Sequence, residues 1–288
     1  MSRGIAGRIK INNFADLVGG DDTAITDVPL SDLHEFKNHP FRVLDDEKMD
    51  EMVESVKTNG ILNPGIVRPR MEGGGYELIA GHRRRRACEL AGLETMPVVI
   101  RNYSDDEATV VMVDTNLQRE VILPSEKAHA YRMKFDAMSH QGSEGGNTLE
   151  EISEDAGESA KTVQRYIALS RLTDGLLVMV DEKKLAIRAG VELSYLKEKE
   201  QEWVETVVNE DEVSVSPDQA SKIRNYSQNR ELTKGLVHEI LSEDKPKPRR
   251  ISLKSETLNQ YFNDDYSSEE IEETIIKLLE EWKEKGGH

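Results

Sequence analysis

The chain has 288 residues and a formal net charge of -17, a length that suits two or three domains with cores of their own better than one compact domain. An acidic total argues against a nucleic-acid partner, yet the charge is segregated: arginines fill 83–86 and Lys245, Lys247, Arg249 and Arg250 form a second basic cluster, while acid gathers at Glu200, Glu202, Glu205, Glu210, Asp211 and Glu212. The single cysteine, Cys88, excludes an intrachain disulfide and the multi-cysteine zinc sites, and with no signal peptide and no run of 18 apolar residues the sequence reads as soluble and cytoplasmic, without a membrane partner.

Residues 1–26, rich in Gly, Asp and Thr, read as a loosely ordered arm. The segment 28–30 reads as a short strand and 36–42 as a turn. A helix begins at about Asp46, since Met49, Met52, Val53 and Val56 recur at i, i+3, i+4 and i+7, and it ends at Asn59 and Gly60, a left-handed cap. Strand-like segments 65–69 and 76–79, joined through Gly73, Gly74 and Gly75, predict a hairpin. Gly81 then leads into a helix that opens on His82, Arg83, Arg84, Arg85 and Arg86 and closes at Gly92. Like charges at a helix N-terminus oppose the macrodipole, so arginines in that place ask for an anion. Neighbours on a helix point about 100° apart, and not all four can face one ligand. After a strand at 96–100, Ser104 and Glu107 have capping-box spacing for a helix that runs to about Leu117.

The next helix starts near Ser125 and fades in the polar stretch 141–146. Thr148 and Glu151 form a second candidate capping box, Gly157 breaks that helix, and Ser159 caps another with Val163, Tyr166, Ile167 and Leu172 inward. The unit at about 148–172 matches a helix-turn-helix, and by periodicity alone it matches an ordinary helical hairpin equally. Lys161, Thr162, Gln164 and Arg165, together with the capping Ser159, are residue types that reach bases and phosphates, and they favour DNA. The pattern remains helical from 172 to 208, turns at the acidic run, and resumes at 217–227. A basic, proline-interrupted linker at 242–250 precedes a C-terminal unit, 251–288. There Ser267 and Glu270 make a third box, and Ile271, Ile275, Leu278, Leu279 and Trp282 line one face of the last helix. That stripe must pack on the body of the protein or on a second copy, and dimerisation is the reading adopted.

Four pieces occur in a specific order: 54–61 with Pro64 and 67–69; 76–87, from Tyr76 through Gly81 and the arginines to Ala87; 115–120, with Thr115, Asn116 and Arg119; and the helical pair. From about Asp45 to Ser170 the chain resembles ParB, the centromere-binding family of chromosome and plasmid partition systems. The resemblance implies an α+β architecture: a small mixed ParB/sulfiredoxin-like domain at 27–122, an all-α helix-turn-helix domain at 123–241, the linker, and a short helical C-terminal unit. It implies that CTP with Mg2+ binds at Gly81, His82, Arg83, Arg84, Asn116 and Arg119, with Arg42 from the 36–42 turn, and that Asn116 ligates the metal. The implied partners are double-stranded DNA with a palindromic centromere-like site, a ParA-type ATPase met by the arm, and a second copy closing a CTP-gated clamp on the nucleoid.

Two departures matter. His82 and Thr115 stand where the family usually has glutamates, so the expectation is nucleotide binding with weak or absent CTP hydrolysis. A sulfiredoxin-like enzyme would need a cysteine where Gly81 stands, and Cys88, two helical turns further on, reads as core packing. A nucleotide-independent transcriptional regulator on the same scaffold is the other alternative. The remaining histidines, His39 among them, read as surface or core residues.

Overall fold

Side chains alternate across a strand, and in this chain the alternation serves two helical layers. The computed structural model describes residues 24–119, 121–140, 148–243, 255–258, 261–262 and 266–284. Five strands, β1 (Ile25–Pro29), β2 (Leu33–His34), β3 (Gly65–Pro69), β4 (Tyr76–Ala80) and β5 (Thr95–Ile100), form one mixed sheet in the order β1-β5-β3-β4-β2. The expected hairpin is present as the antiparallel pair β3/β4, while β3/β5 and β2/β4 are parallel. Strand β1 runs antiparallel to β5 with Ile25 opposite Val99 and Thr26 opposite Val98. Residues 25 and 26 therefore belong to the sheet, not to the arm, because β5 offers them backbone partners.

On one face, Val67 and Leu78 pack with Met49, Val53 and Val56 of α1 (Glu47–Asn59) and with Ala87 and Cys88 of α2 (His82–Ala91). Cys88 is fully buried, as its packing role requires. On the other face, Ile66 and Ile79 meet Ala108, Val111 and Met112 of α3 (Asp105–Leu117). Full burial of each such aliphatic side chain contributes about 1.5–3 kcal/mol. The helix ends follow their caps. Asp46 accepts from the Met49 N–H, Gly60 has φ +69, and Ser104 and Glu107 form the reciprocal box.

Helix α4 (Pro124–His140) packs along α3 and against α5 (Thr148–Ala156) and α6 (Ala160–Leu169). Tyr131, Ile152, Val163 and Ile167 are the core of that corner. Gly157, at φ +64, separates α5 from α6, and the Ser159 hydroxyl accepts from the Thr162 N–H at 3.1 Å. The box expected at Thr148 and Glu151 does not form: Thr148 is itself the first helical residue, and its fully buried hydroxyl has no hydrogen-bond partner among the described residues.

The stretch read as continuously helical from 172 to 208 is three helices, α7 (Asp174–Asp181), α8 (Ile187–Leu193) and α9 (Glu198–Asp211), with Lys183 left-handed at φ 61 in the first break. With α10 (Pro217–Gln228) and α11 (Lys234–Ser242) they enclose the largest core, which includes Leu169, Leu176, Leu193, Val204, Ile223 and Val237.

The chain divides into two compact units, the first ending at Glu243 and the second beginning at Asp244. The basic cluster at 245–250 lies outside the described residues. In the second unit, α12 (Ser255–Leu258) precedes α13 (Ser268–Glu284). The third capping box is present, with the Ser267 N–H donating to the Glu270 carboxylate at 2.8 Å and the Glu270 N–H to the Ser267 hydroxyl at 3.3 Å. Along α13, Ile271 and Ile275 are half-buried, and Leu278, Leu279 and Trp282 are all more than half exposed. Among the described residues, no helix is long and apolar enough to cross a membrane.

Candidate anion pocket

The junction between β4 and α2 is built on Gly81, whose φ of +115 is open to glycine and strained for other residues. A Cβ there would come within 3.3 Å of the Gly65 Cα in β3 and 3.2 Å of the Met96 methyl. The glycine thus lets the first turn of α2 lie close against the sheet, with its N–H groups directed out of the helix end. A cavity of about 150 Å³ opens at this end, lined by Ala80, Gly81, His82, Arg83, Arg84, Thr115, Asn116 and Arg119. Residues 81–84 and 115–119, which lie on different elements, meet in it.

The four arginines divide as helical geometry demands. Arg83 pairs with Asp46 at 3.0 Å, and the Arg84 guanidinium donates to the carbonyls of Asn63 and Pro64, each at 2.6 Å. Burial lowers the pKa of Arg84 from its ordinary value. Arg85 pairs with Glu89, and Arg86 with Asp45 and Glu89, away from the cavity. From α3 and the turn beyond it, Thr115 donates to the Val111 carbonyl, the buried Asn116 amide donates to Met112, and Arg119 lies over the Phe41 ring with its charge 5.4 Å from the centroid. Of the residues expected at this site, Arg42 alone does not line the cavity. It is exposed, and its backbone N–H donates to Glu126 at 2.8 Å.

Sequence reasoning missed His39. Its ring stacks on that of His82 with centroids 3.8 Å apart, and Phe41 meets it edge-on at 5.7 Å. The two histidines are 43 positions apart, and the only sequence signal was the turn at 36–42. Desolvation holds both rings neutral: the His39 pKa falls to about 4, and that of His82 to about 2 with the charges of His39, Arg119, Arg85 and Arg84 adding to the effect. The Nε2 atoms of His39 and His82 are buried without hydrogen-bond partners among the described residues.

This pair has a stability consequence. Each ring binds a proton less readily when folded than at its ordinary value of 6.5, so acidification below about 6.5 favours the unfolded chain. Between pH 7 and pH 5 each histidine is expected to withdraw about 1–2 kcal/mol of stability. Denaturant midpoints of wild type and His39→Gln across that range check this. Equal pH slopes for the two proteins would remove the histidine pair from the explanation.

The donor set fits a polyphosphate and fits magnesium poorly. Three guanidiniums line the cavity, together with helix N–H groups and an unpartnered imidazole nitrogen, whereas Mg2+ wants oxygen ligands in near-octahedral array. The described residues lining the cavity include no carboxylate, and no group of three or more His, Cys, Asp or Glu side chains placed to hold a metal ion occurs among the described residues.

On α6, Lys161 and Gln164 are exposed and Arg165 half-exposed, while the hydroxyls of Ser159 and Thr162 bond to each other at 2.8 Å. The cap thus occupies two of the five residues expected at a DNA contact and leaves Lys161, Gln164 and Arg165 outward.

The sequence model of the ParB N-terminal domain matches residues 17–117, which span the sheet, α1, α2 and α3 and carry most of the pocket. The "Nucleoid occlusion protein" of Bacillus subtilis (strain 168) is 28% identical over 260 residues, covering 90% of this chain and 85% of that one. The "Probable chromosome 1-partitioning protein ParB" of Deinococcus radiodurans is 32% identical over 167 residues, 58% of this chain and 54% of that one. The chain belongs to the ParB family. Among solved structures, the truncated chromosome-partitioning protein ParB of Caulobacter crescentus complexed to the centromeric parS site aligns at 21% identity and a TM-score of 0.43, covering 69% of this chain and 98% of that one. Of the residues on which the resemblance rests, Gly81, His82, Arg83, Arg84, Thr115, Asn116 and Arg119 all line the cavity.

Proposed function

We propose that this ParB-family protein binds a nucleoside triphosphate, CTP by family likeness, at the α2 N-terminus and double-stranded DNA through α6. In this reading it acts on the nucleoid in DNA segregation or nucleoid occlusion. The observation that carries the reading is the meeting of Gly81, Arg83 and Arg84 with Asn116 and Arg119 at one cavity. Guanidiniums and helix N–H groups are the donors that recognise phosphate oxygens, and Arg84 is held in place by two backbone carbonyls.

Calorimetric titration of CTP, ATP and GTP into the full chain tests it. Wild type should bind CTP in preference to the others, and Arg84→Ala should weaken CTP by roughly ten- to a hundredfold, the loss of one or two charge-assisted hydrogen bonds. An unaltered affinity in Arg84→Ala would remove the pocket from the account. Phosphate release in the same mixtures is expected to be slow or absent, since His82 and Thr115 supply no carboxylate to place an attacking water.

On DNA, Lys161, Gln164 and Arg165 are the outward candidates, and the α13 stripe of Ile271, Ile275, Leu278, Leu279 and Trp282 is the candidate for joining two copies around a palindromic site. A ParA-type ATPase is the partner that the family likeness offers. A clamp should spread on closed circular DNA only with CTP, whereas a nucleotide-independent regulator should give the same salt-sensitive footprint with and without it.

A further inference from the structure

We infer that this pocket takes its polyphosphate without a divalent metal ion, with His82 donating from the place where a metal-binding carboxylate would otherwise stand. The inference rests on the reading of the cavity as a triphosphate site and goes beyond it.

Two independent observations meet here. One is the N-terminus of the ten-residue helix α2, an anion-favouring end. The other is the His82 ring, 8% exposed and lining the cavity, with Nε2 unpartnered among the described residues. A buried polar atom left without a partner costs free energy, so a ligand oxygen that accepts from it gains more than it would from an exposed group. The His39 ring packs against that of His82 at a centroid distance of 3.8 Å, tilted by 33°.

The described carboxylates that interact with the cavity's arginines, or that adjoin Thr115 in sequence, are already committed. Asp46 pairs with Arg83 and caps α1, and Glu126 uses one oxygen on the Arg42 N–H and the other on the Leu123 N–H. Asp114 pairs with Lys134 at 2.6 Å. A magnesium ion in the cavity would therefore join Arg83, Arg84 and Arg119 with no free protein anion beside it, and it would compete with them for the same phosphate oxygens. Imidazole is a poor magnesium ligand and offers no remedy. The three guanidiniums instead supply the neutralising charge that the metal would bring, and the neutral His82 ring adds a hydrogen bond.

CTP and inorganic tripolyphosphate, titrated into the full chain in EDTA and again in excess Mg2+, test this. Wild type is expected to bind both ligands with affinities that differ less than threefold between the two buffers. His82→Glu restores a carboxylate: in EDTA it should bind at least tenfold more weakly than wild type, and magnesium should recover the loss. His82→Gln keeps a neutral donor and should stay indifferent to the metal, which guards against a glutamate variant that fails to fold. Binding by wild type that drops tenfold or more in EDTA overturns the inference and leaves the triphosphate reading intact. No binding of either ligand in either buffer sinks the triphosphate reading itself.

Discussion

Replacing Lys134 with alanine is expected to cost about 3–5 kcal/mol, enough to unfold a large share of a marginally stable protein. Lys134 is 1% exposed in α4, and its ammonium group donates to Asp114 of α3 at 2.6 Å and to Asp155 of α5 at 2.9 Å. Burial raises the pKa of Asp114, and the neighbouring lysine offsets part of that rise. Without the lysine, Asp114, its side chain 17% exposed, is left as a largely desolvated carboxylate with no counter-charge, while the more exposed Asp155 can turn to water. Lys134→Met, which keeps the volume, should therefore be nearly as damaging as Lys134→Ala. The double variant Lys134→Met with Asp114→Leu should recover most of the loss, since an apolar pair of similar volume can replace a buried ion pair. Denaturant unfolding of the four proteins reads the coupling. If the single and double variants lose the same amount, the charge pairing is not the cause.

The same triad shows what a sequence hides. Lysine is exposed by default, and nothing local marks Lys134 as buried. The three carrying residues are 20 and 21 positions apart, on three helices. Features written in neighbouring residues were legible: the Ser104 and Glu107 box, the Asp46 cap, the glycine ends of α1 and α2, and the β3/β4 hairpin. The Thr148 box had the right spacing but fails because Thr148 is itself the first helical residue and does not stand at the cap. The three-way division between 172 and 211 carries no proline, and its first turn is made by Lys183 at positive φ, a position where a glycine would have been the signal. Sheet order was out of reach because β5 returns between β1 and β3 through pairings of long sequence separation.

The pocket divides along the same line. Its glycine and arginines read directly as an anion site, since like charges at a helix start oppose the macrodipole. Their partners on α3 and beyond came from the family likeness and not from spacing, and His39 came from neither. Chain topology brings its ring onto His82, and only coordinates show that the neutral imidazole of His82 in the cavity wall is backed by a second neutral ring, the half-buried His39.

Gly81→Ala is expected to cost about 3 kcal/mol of stability and to weaken triphosphate binding at least tenfold. Two terms add in the first figure. At φ +115 and ψ 18 a Cβ-bearing residue is strained by about 1–3 kcal/mol. The new methyl also presses on the Gly65 Cα at 3.3 Å, a backbone atom of a central strand that cannot yield as a side chain can. The Met96 methyl at 3.2 Å is the end of a flexible side chain and can move aside. The binding loss has a separate origin. The same Cβ would lie 3.5 Å from the Arg84 guanidinium carbon, so relief of the clash with β3 shifts the first turn of α2 and its N–H groups relative to the arginine. Gly92→Ala is the control. Gly92 is also left-handed, at φ +75, but a Cβ there meets nothing within 4 Å, so only the conformational cost of about 1 kcal/mol applies and the pocket is untouched. Thermal denaturation and CTP titration of both variants separate the terms: if Gly81→Ala is no worse than Gly92→Ala in stability, the close approach to β3 is not what this glycine serves. If it is worse in stability but binds CTP normally, then Gly81 serves the packing of α2 on the sheet and has no part in shaping the anion site.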